Sequence, residues 1–380
     1  MKYGGILRIG FKLLVNDKGK FSALLIGITF AVFLMMQMTA MFAGILNRAY
    51  STVTNIGAEM WIMDPAVNTA TSPIPMPDYL LDAARSMDGV SYAVPIFIGG
   101  ALVKLGSGAY QAVNVVGLDD NSLFGRPELL EGNIHDIYAD NTFLVVKDAE
   151  FSKLENPKVG ASFELNDHRG TIVGIAKVVS NGLNGIPTLY TTYYRAIEYI
   201  PSMRFTLSYV LVHPKSEAAV AGIKRQVAKL GYIAFTKNEF NQRISDYYTY
   251  KTGIGTNILM MTVISFIVGL SISGQTFYTF ILENLEKFGA LKAIGAKGRE
   301  LVYMILFMAF FTALTGYGLG IGLVTLMIGV AKSRLPNYAA TITFWNLGLA
   351  FGMVLLIAGI SSYVGIRKVL KIEPFDIFRG

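Results

Sequence analysis

Four uncharged apolar runs, at about 21–46, 254–280, 301–330 and 344–366, constrain this chain more than any other feature. Each exceeds the ~20 residues that carry a helix across a ~30 Å hydrocarbon layer. Inside a bilayer no water satisfies backbone N–H and C=O groups, so such runs cross as helices. None of the four holds Asp, Glu, Lys, Arg or His, and Gln37 and Gln275 are among their most polar members. Ion-coupled transporters and proton pumps rely on ionisable groups at membrane depth, and many channels on charged rings, so neither class fits. The first run is too long for the apolar core of a signal peptide and reads as an uncleaved anchor.

Orientation follows from Lys and Arg near the span ends. Lys2, Arg8, Lys12, Lys18 and Lys20 precede the first span; Lys287, Lys292, Lys297 and Arg299 separate the second from the third. Arg367, Lys368, Lys371 and Arg379 follow the fourth, whereas the third-to-fourth loop has only Lys332 and Arg334. The three richer segments fall on one side, expected to be cytoplasmic, with both termini there. The layout is a cytoplasmic interfacial helix at 1–20, a first span at 21–46 and an extracytoplasmic domain at 47–253. A second span at 254–280, a cytoplasmic coupling segment at 281–300 and a third span at 301–330 follow. An extracytoplasmic loop at 331–343, a fourth span at 344–366 and a cytoplasmic tail at 367–380 complete it. Residues 48–252 hold 18 Lys and Arg against 20 Asp and Glu, so the basic excess lies beside the membrane segments. Lipid headgroups explain that excess better than nucleic acid does. In the N-terminal segment Ile6, Leu7, Phe11 and Leu14 alternate with Arg8, Lys12 and Lys18, as in a helix lying in the interface; a frayed basic tail is the alternative.

The fold class expected is a membrane protein of four transmembrane helices with a large α+β extracytoplasmic domain between helices 1 and 2. AEMWIM (58–63) reads as a strand and PDYLLDAARSMDG (77–89) as a helix; SYAVPIFI, ALVKL and YQAVNVVG read as successive strands. FTLSYVLVHP (205–214) is a strand, and SEAAVAGIKRQVAKLG (216–231) an amphipathic helix with Val220, Ile223, Val227 and Leu230 on one face. The middle is richer in β signals (TFLVV, ASFEL, TIVGIAKVV and TLYTT) with turn residues at 166–170. The expectation is an α+β subdomain of about 47–115 plus 205–245, with a β-rich insertion at about 116–204. Residues 237–253 are expected to run as a helix into the second span, with Tyr247, Tyr248 and Tyr250 in an interfacial aromatic belt.

Catalytic signatures are missing. No GxxxxGK[ST], HExxH or GxSxG string occurs; His135, His168 and His213 are isolated, and there is no cysteine. Asp119 and Asp120 read as a solvated turn. No catalytic, cofactor-binding or metal-ligating residue is expected, and the chain is not expected to be an enzyme. The glycine-rich loop at 181–187 is a long hairpin or a contact site for a partner or cargo.

Two stretches are left. In the third span Gly316 and Gly320 lie four apart, as do Gly318 and Gly322, a spacing that lets helices approach closely, within the chain or in a second copy. Between the second and third spans, ENLEKFGALKAIGAKGREL (283–301) carries Leu282, Leu285, Phe288, Leu291 and Ile294 at three-residue spacing, an apolar stripe that drifts around a short helix. Gly289 and Gly295 permit close approach and a turn back into the membrane. Glu283, Glu286, Lys287 and Lys292 offer charged contacts. Such a segment is either a docking surface for a cytoplasmic partner or an amphipathic turn resting on headgroups.

The string Glu283 … Gly289-x-Leu291-Lys292-Ala293-Ile294-Gly295-Ala296, leading directly into a span, resembles the cytoplasmic loop of the MacB/LolC/FtsX-type ABC permeases, the type VII or mechanotransmission group. The order of one span, a domain of about two hundred residues and three further spans is similar too, as are GAEMWIMDP and VGASFELNDHRGTIVGIAKVV. ENLEKFGALKAIG is most like the DevC-like permeases, which lack a fused ATPase. Lys287 stands where family loops commonly carry an acidic residue, with Glu286 just before it. The resemblance implies a homodimeric permease working with a separate ABC ATPase, docked through the loop at 283–296. ATP and Mg would be bound by that ATPase and no cofactor by this chain. It also implies a place in a bacterial cytoplasmic (inner) membrane, a periplasmic membrane-fusion adaptor and an outer-membrane channel, with export of lipid or another envelope molecule. The alternative is an FtsX-like regulator that activates an extracytoplasmic enzyme without transport; lipoprotein release is a third role.

Overall fold

The computed structural model describes residues 3–200, 207–335 and 337–371. Expectations for Lys2, Phe205, Arg379 and the tail beyond 371 lie outside those residues. The chain forms two compact units, 1–44 with 254–380, and 45–253. In chain order the helices are α1 (Tyr3–Asn16), α2 (Lys18–Ala49), α3 (Ser51–Ile56), α4 (Tyr79–Arg85), α5 (Tyr193–Tyr199), α6 (Val220–Lys229), α7 (Lys237–Asp246), α8 (Ile254–Glu283), α9 (Leu285–Ala293), α10 (Gly298–Arg334) and α11 (Phe344–Leu370). The strands are β1 (Met60–Met63), β2 (Val90–Lys104), β3 (Tyr110–Leu118), β4 (Glu128–Gly132), β5 (Thr142–Val146), β6 (Ser162–Leu165), β7 (His168–Lys177), β8 (Thr188–Thr192), β9 (Tyr209–Pro214) and β10 (Ile233–Thr236).

In the helical unit α2, α8, α10 and α11 are long and apolar enough to cross a membrane. Lipid tails are as apolar as Leu, so close packing rather than the hydrophobic effect holds such helices together. Glycines make that packing possible. A Cβ on Gly27 of α2 would lie 2.7 Å from Ile272 of α8, and one on Gly269 of α8 would collide with Ala31 of α2. Gly365 of α11 likewise receives Ile281 of α8. Three buried hydroxyls are satisfied along their own helices: Thr262, Ser265 and Thr312 donate to the carbonyls four residues back at 2.7–2.8 Å. Replacing Gly269 with Leu is expected to destabilise the bundle by about 1–3 kcal/mol through overpacking. Thermal unfolding of the purified protein would record it as a lowered midpoint.

Helix α1 forms as its periodicity predicts, but protein rather than lipid covers much of its apolar face. Ile6 and Leu14 are buried, Gly10 admits Met304 of α10, and Phe11 stands edge-on to Phe311 at 5.1 Å. Arg8, Lys12 and Lys18 are exposed.

In the second unit β10, β1, β9 and the first half of β2 form an antiparallel sheet. Helices α4 and α6 pack on one face through Leu80, Ala84, Ile223 and Val227, and α7 on the other through Phe240 and Ile244 against Trp61 and Tyr209. Val220 of α6 is half-buried, whereas Leu230 is exposed at the helix end instead of joining the buried face. The two strands read at 91–98 and 101–105 are one. Strand β2 runs unbroken through Gly99 and Gly100, pairing with β9 up to Ile96 and with β3 from Phe97. The β-rich part therefore begins near residue 97, not at 116, because a glycine pair bends a strand without ending it. From there β2, β3, β8, β5, β7 and β6 pair in turn, and β6 returns to β2, closing a six-stranded barrel. The β6–β7 turn places Asn166 and Asp167 at φ +45° and +67°, the two-residue hairpin geometry that those residue types favour.

Residues 237–253 do not form one continuous helix. Helix α7 passes into a π turn at Tyr247–Lys251, and Gly253 (φ +74°) separates it from α8.

Candidate functional site

Between α8 and α10 the chain leaves the bundle for a short helix and re-enters. Asn284 makes the first break. Its buried amide donates to the Phe280 carbonyl at 2.8 Å, its side-chain oxygen accepts from Lys287 Nζ at 2.8 Å, and its backbone carbonyl accepts from the Phe288 N–H at 3.1 Å. These bonds absorb groups that a helix end would leave unpaired. After α9 the second break is Gly295, whose φ of +103° suits glycine alone. The Gly295 and Ala296 N–H groups return to the carbonyls of Lys292 and Leu291 at 3.1 and 3.0 Å. Glu300 then accepts from the Lys297 N–H at 2.8 Å and opens α10.

The expected apolar stripe divides. Phe288 and Gly289 are buried, and Leu285 and Leu291 are half-buried against the same bundle core. Ile294 is 78% exposed, and Glu286, Lys287, Gly295, Lys297 and Arg299 of the same segment are exposed too. Helical geometry explains the split. Three residues turn about 300°, so each step slips about 60° and the last member lies far around from the first. Phe288 is thus a bundle residue and not a docking contact, which corrects its assignment from sequence. Leu285 and Leu291 belong mainly to the same anchor. Lys292 is committed as well, donating to the Leu370 carbonyl at 3.3 Å. Glu283 pairs with Lys20, which also reaches Asp17 at 3.2 Å. Exposed pairs of this kind contribute about 0–1 kcal/mol, so they position more than they stabilise.

Helix α9 thus has Phe288 fixed in the bundle core and is followed by an exposed Ile, with exposed charges of both signs in the same segment. It holds no pair of groups arranged for bond-making chemistry. The model of the FtsX-like permease C-terminal region matches residues 258–374, and that of the MacB-like periplasmic core domain matches residues 22–230. The chain belongs to the MacB/FtsX family of ABC transporter permeases. It is 23% identical over 358 residues to an uncharacterised ABC transporter permease of Mycobacterium tuberculosis (strain H37Rv), covering 91% of this chain and 93% of that one. It is 22% identical over 392 residues to the macrolide export ATP-binding/permease protein MacB of Escherichia coli, covering 97% of this chain and 59% of that one. Among solved structures, the periplasmic region of MacB from Actinobacillus actinomycetemcomitans aligns over 50% of this chain and 93% of its own, with a TM-score of 0.39 and 10% identity.

In this permease the glycine stripe of α10 serves two surfaces. Gly316 and Gly320 face α2, where added Cβ atoms would lie 2.7 Å from Ile28 and 2.6 Å from Val32. Gly318 and Gly322 meet nothing within 4 Å and line an apolar groove with Leu25, Ile26, Phe30 and Phe33 of α2. The loop at 181–187 is not a hairpin, because β5 lies between β7 and β8. It is tied at one end by reciprocal Asn55–Ser180 bonds of 2.8 and 2.9 Å and at the other by Lys153, which donates to the Gly185 carbonyl at 2.6 Å. Sequence reading passed over Gly27, Gly269 and Asn284. Ser265, Gly269 and Ser273 recur every fourth residue and were the available signal.

Proposed function

We propose that this permease is the membrane subunit of an ABC exporter driven by a separate ATPase that docks on the exposed side of α9. The observation that carries the reading is Ile294, exposed in a segment with exposed Glu286, Lys287, Lys297 and Arg299, at the end of a helix anchored in the bundle by Phe288. In this reading α9 and both termini are cytoplasmic, residues 45–253 are extracytoplasmic, and the membrane is a bacterial inner membrane. ATP and Mg belong to the partner. Closure of two ATPases displaces two copies of α9, and the spans carry the displacement to the outer domain as a two-state change. Uncharged spans suit that mechanism because nothing need cross them. Cargo, lipid or another envelope molecule, then passes to a membrane-fusion adaptor and an outer-membrane channel. A pull-down from native membranes tests this. An ATPase and an adaptor are expected among the captured proteins; an ATPase with a cell-wall hydrolase instead would replace export with enzyme activation.

The homodimer is proposed to form across the groove of Gly318 and Gly322. Gly322→Leu is expected to weaken inter-subunit cross-linking about tenfold, roughly 1.4 kcal/mol, with the monomer still folded. Gly320→Leu is expected to destabilise the monomer itself. Equal cross-linking in wild type and Gly322→Leu would place the interface elsewhere.

A further inference from the structure

We infer that the six-stranded barrel is a binding site for a small uncharged apolar group, such as a single ring or a short alkyl chain. Barrels of this size normally fill their interior with side chains. Here the filling is uneven along the axis. At one end Ala196, Tyr199 and Ile200, on and just after α5, join Phe97 and Phe143 in a packed cluster. Gly117 approaches so closely there that a Cβ would lie 2.6 Å from that of Ala196. The other end holds a cavity of about 230 Å³ walled by Val103, Val145, Leu154, Phe163, Ile172 and Leu189. An enclosed apolar cavity of roughly 150 Å³ takes benzene; this one, open at its mouth, has room for a group of similar size.

The chemistry of the walls decides the class. The interior walls are aliphatic or aromatic, and the polar side chains, Lys104, Glu155 and Ser162, belong to the mouth. Lys104 is already paired with Glu164 at 3.2 Å, so it is no ready receptor for an anionic group. Charge carried by a ligand therefore stays outside, and the part that enters is apolar. The mouth is built from two tight turns. One follows β2, where Leu105 and Ala109 are bonded at 2.8 Å; the other places Glu155 and Asn156 at φ +61° and +51°. Gly106 lets them approach, since a Cβ there would lie 3.3 Å from Glu155 Oε2. The site stands on barrel geometry alone and does not rest on the ATPase-driven reading.

The test uses the full chain in phosphatidylethanolamine–phosphatidylglycerol nanodiscs, photolabelled with hexyl diazirine and mapped by mass spectrometry. Lipid-facing positions of α8 and α10 will label in every sample and serve as the internal control. Adducts on Leu154, Ala161 or Phe163 are expected as well, competed by excess hexanol. In Ala161→Phe they are expected to fall about tenfold relative to the span adducts. Ala161→Leu provides a milder filling should the first variant fail to fold, as judged by its unfolding midpoint. Labelled spans with an unlabelled barrel would overturn the inference. So would barrel adducts that persist in a folded, filled variant or that hexanol does not reduce.

Discussion

Truncating Phe288 to Ala is expected to cost about 3–5 kcal/mol of stability, the range for a buried Phe, and so to be the most damaging single change in the α8–α10 connection. The ring is fully buried in the bundle core, and the half-buried Leu285 and Leu291 pack against the same core. Phe288→Asp adds a desolvated carboxylate to that cavity. Loss of ATPase binding in a Phe288 variant would therefore report a collapsed anchor, not a missing contact. Thermal unfolding of the purified protein separates the two. A Phe288→Ala midpoint equal to wild type would contradict the burial on which this assignment rests.

The converse effect is expected one helical face away. Ile294→Asp leaves the core untouched, and its stability is expected within about 0.5 kcal/mol of wild type, as for most surface positions. Its effect falls on binding. As the anchor of the proposed interface Ile294 would act as a hot spot, whose loss costs at least about 2 kcal/mol, or roughly thirtyfold in affinity. Lys297→Glu, at the rim of the same surface, is expected to act more weakly and to depend on salt.

The membrane helices could be read from sequence because lipid allows little else: an uncharged run of sufficient length spans as a helix, and α2, α8, α10 and α11 extend each run by a few residues. Local β signals found β5 to β8 for a similar reason, since alternation and turn residues act over a few positions. What escaped was non-local. Nothing near β6 announces that it closes back on β2, and Gly99–Gly100 looks like a turn until the strand on either side is seen to find separate partners. The α9 stripe drifts around its helix as its spacing predicts, but the sequence does not show which part of that drift the bundle covers. A spacing of three falls short of the helical repeat by enough to carry Ile294 away from Phe288. The four glycines of α10 were recognised together, but only neighbouring helices could divide them into Gly316 and Gly320, packed on α2, and Gly318 and Gly322, left open.

The most direct test of the central claim is to capture tagged wild-type and Ile294→Asp proteins from native membranes and to quantify the ATPase bound to each. Equal expression and equal unfolding midpoints come first. The account predicts abundant ATPase on the wild type and a loss of about thirtyfold on the variant. Undiminished ATPase on a folded Ile294→Asp protein would contradict docking on α9.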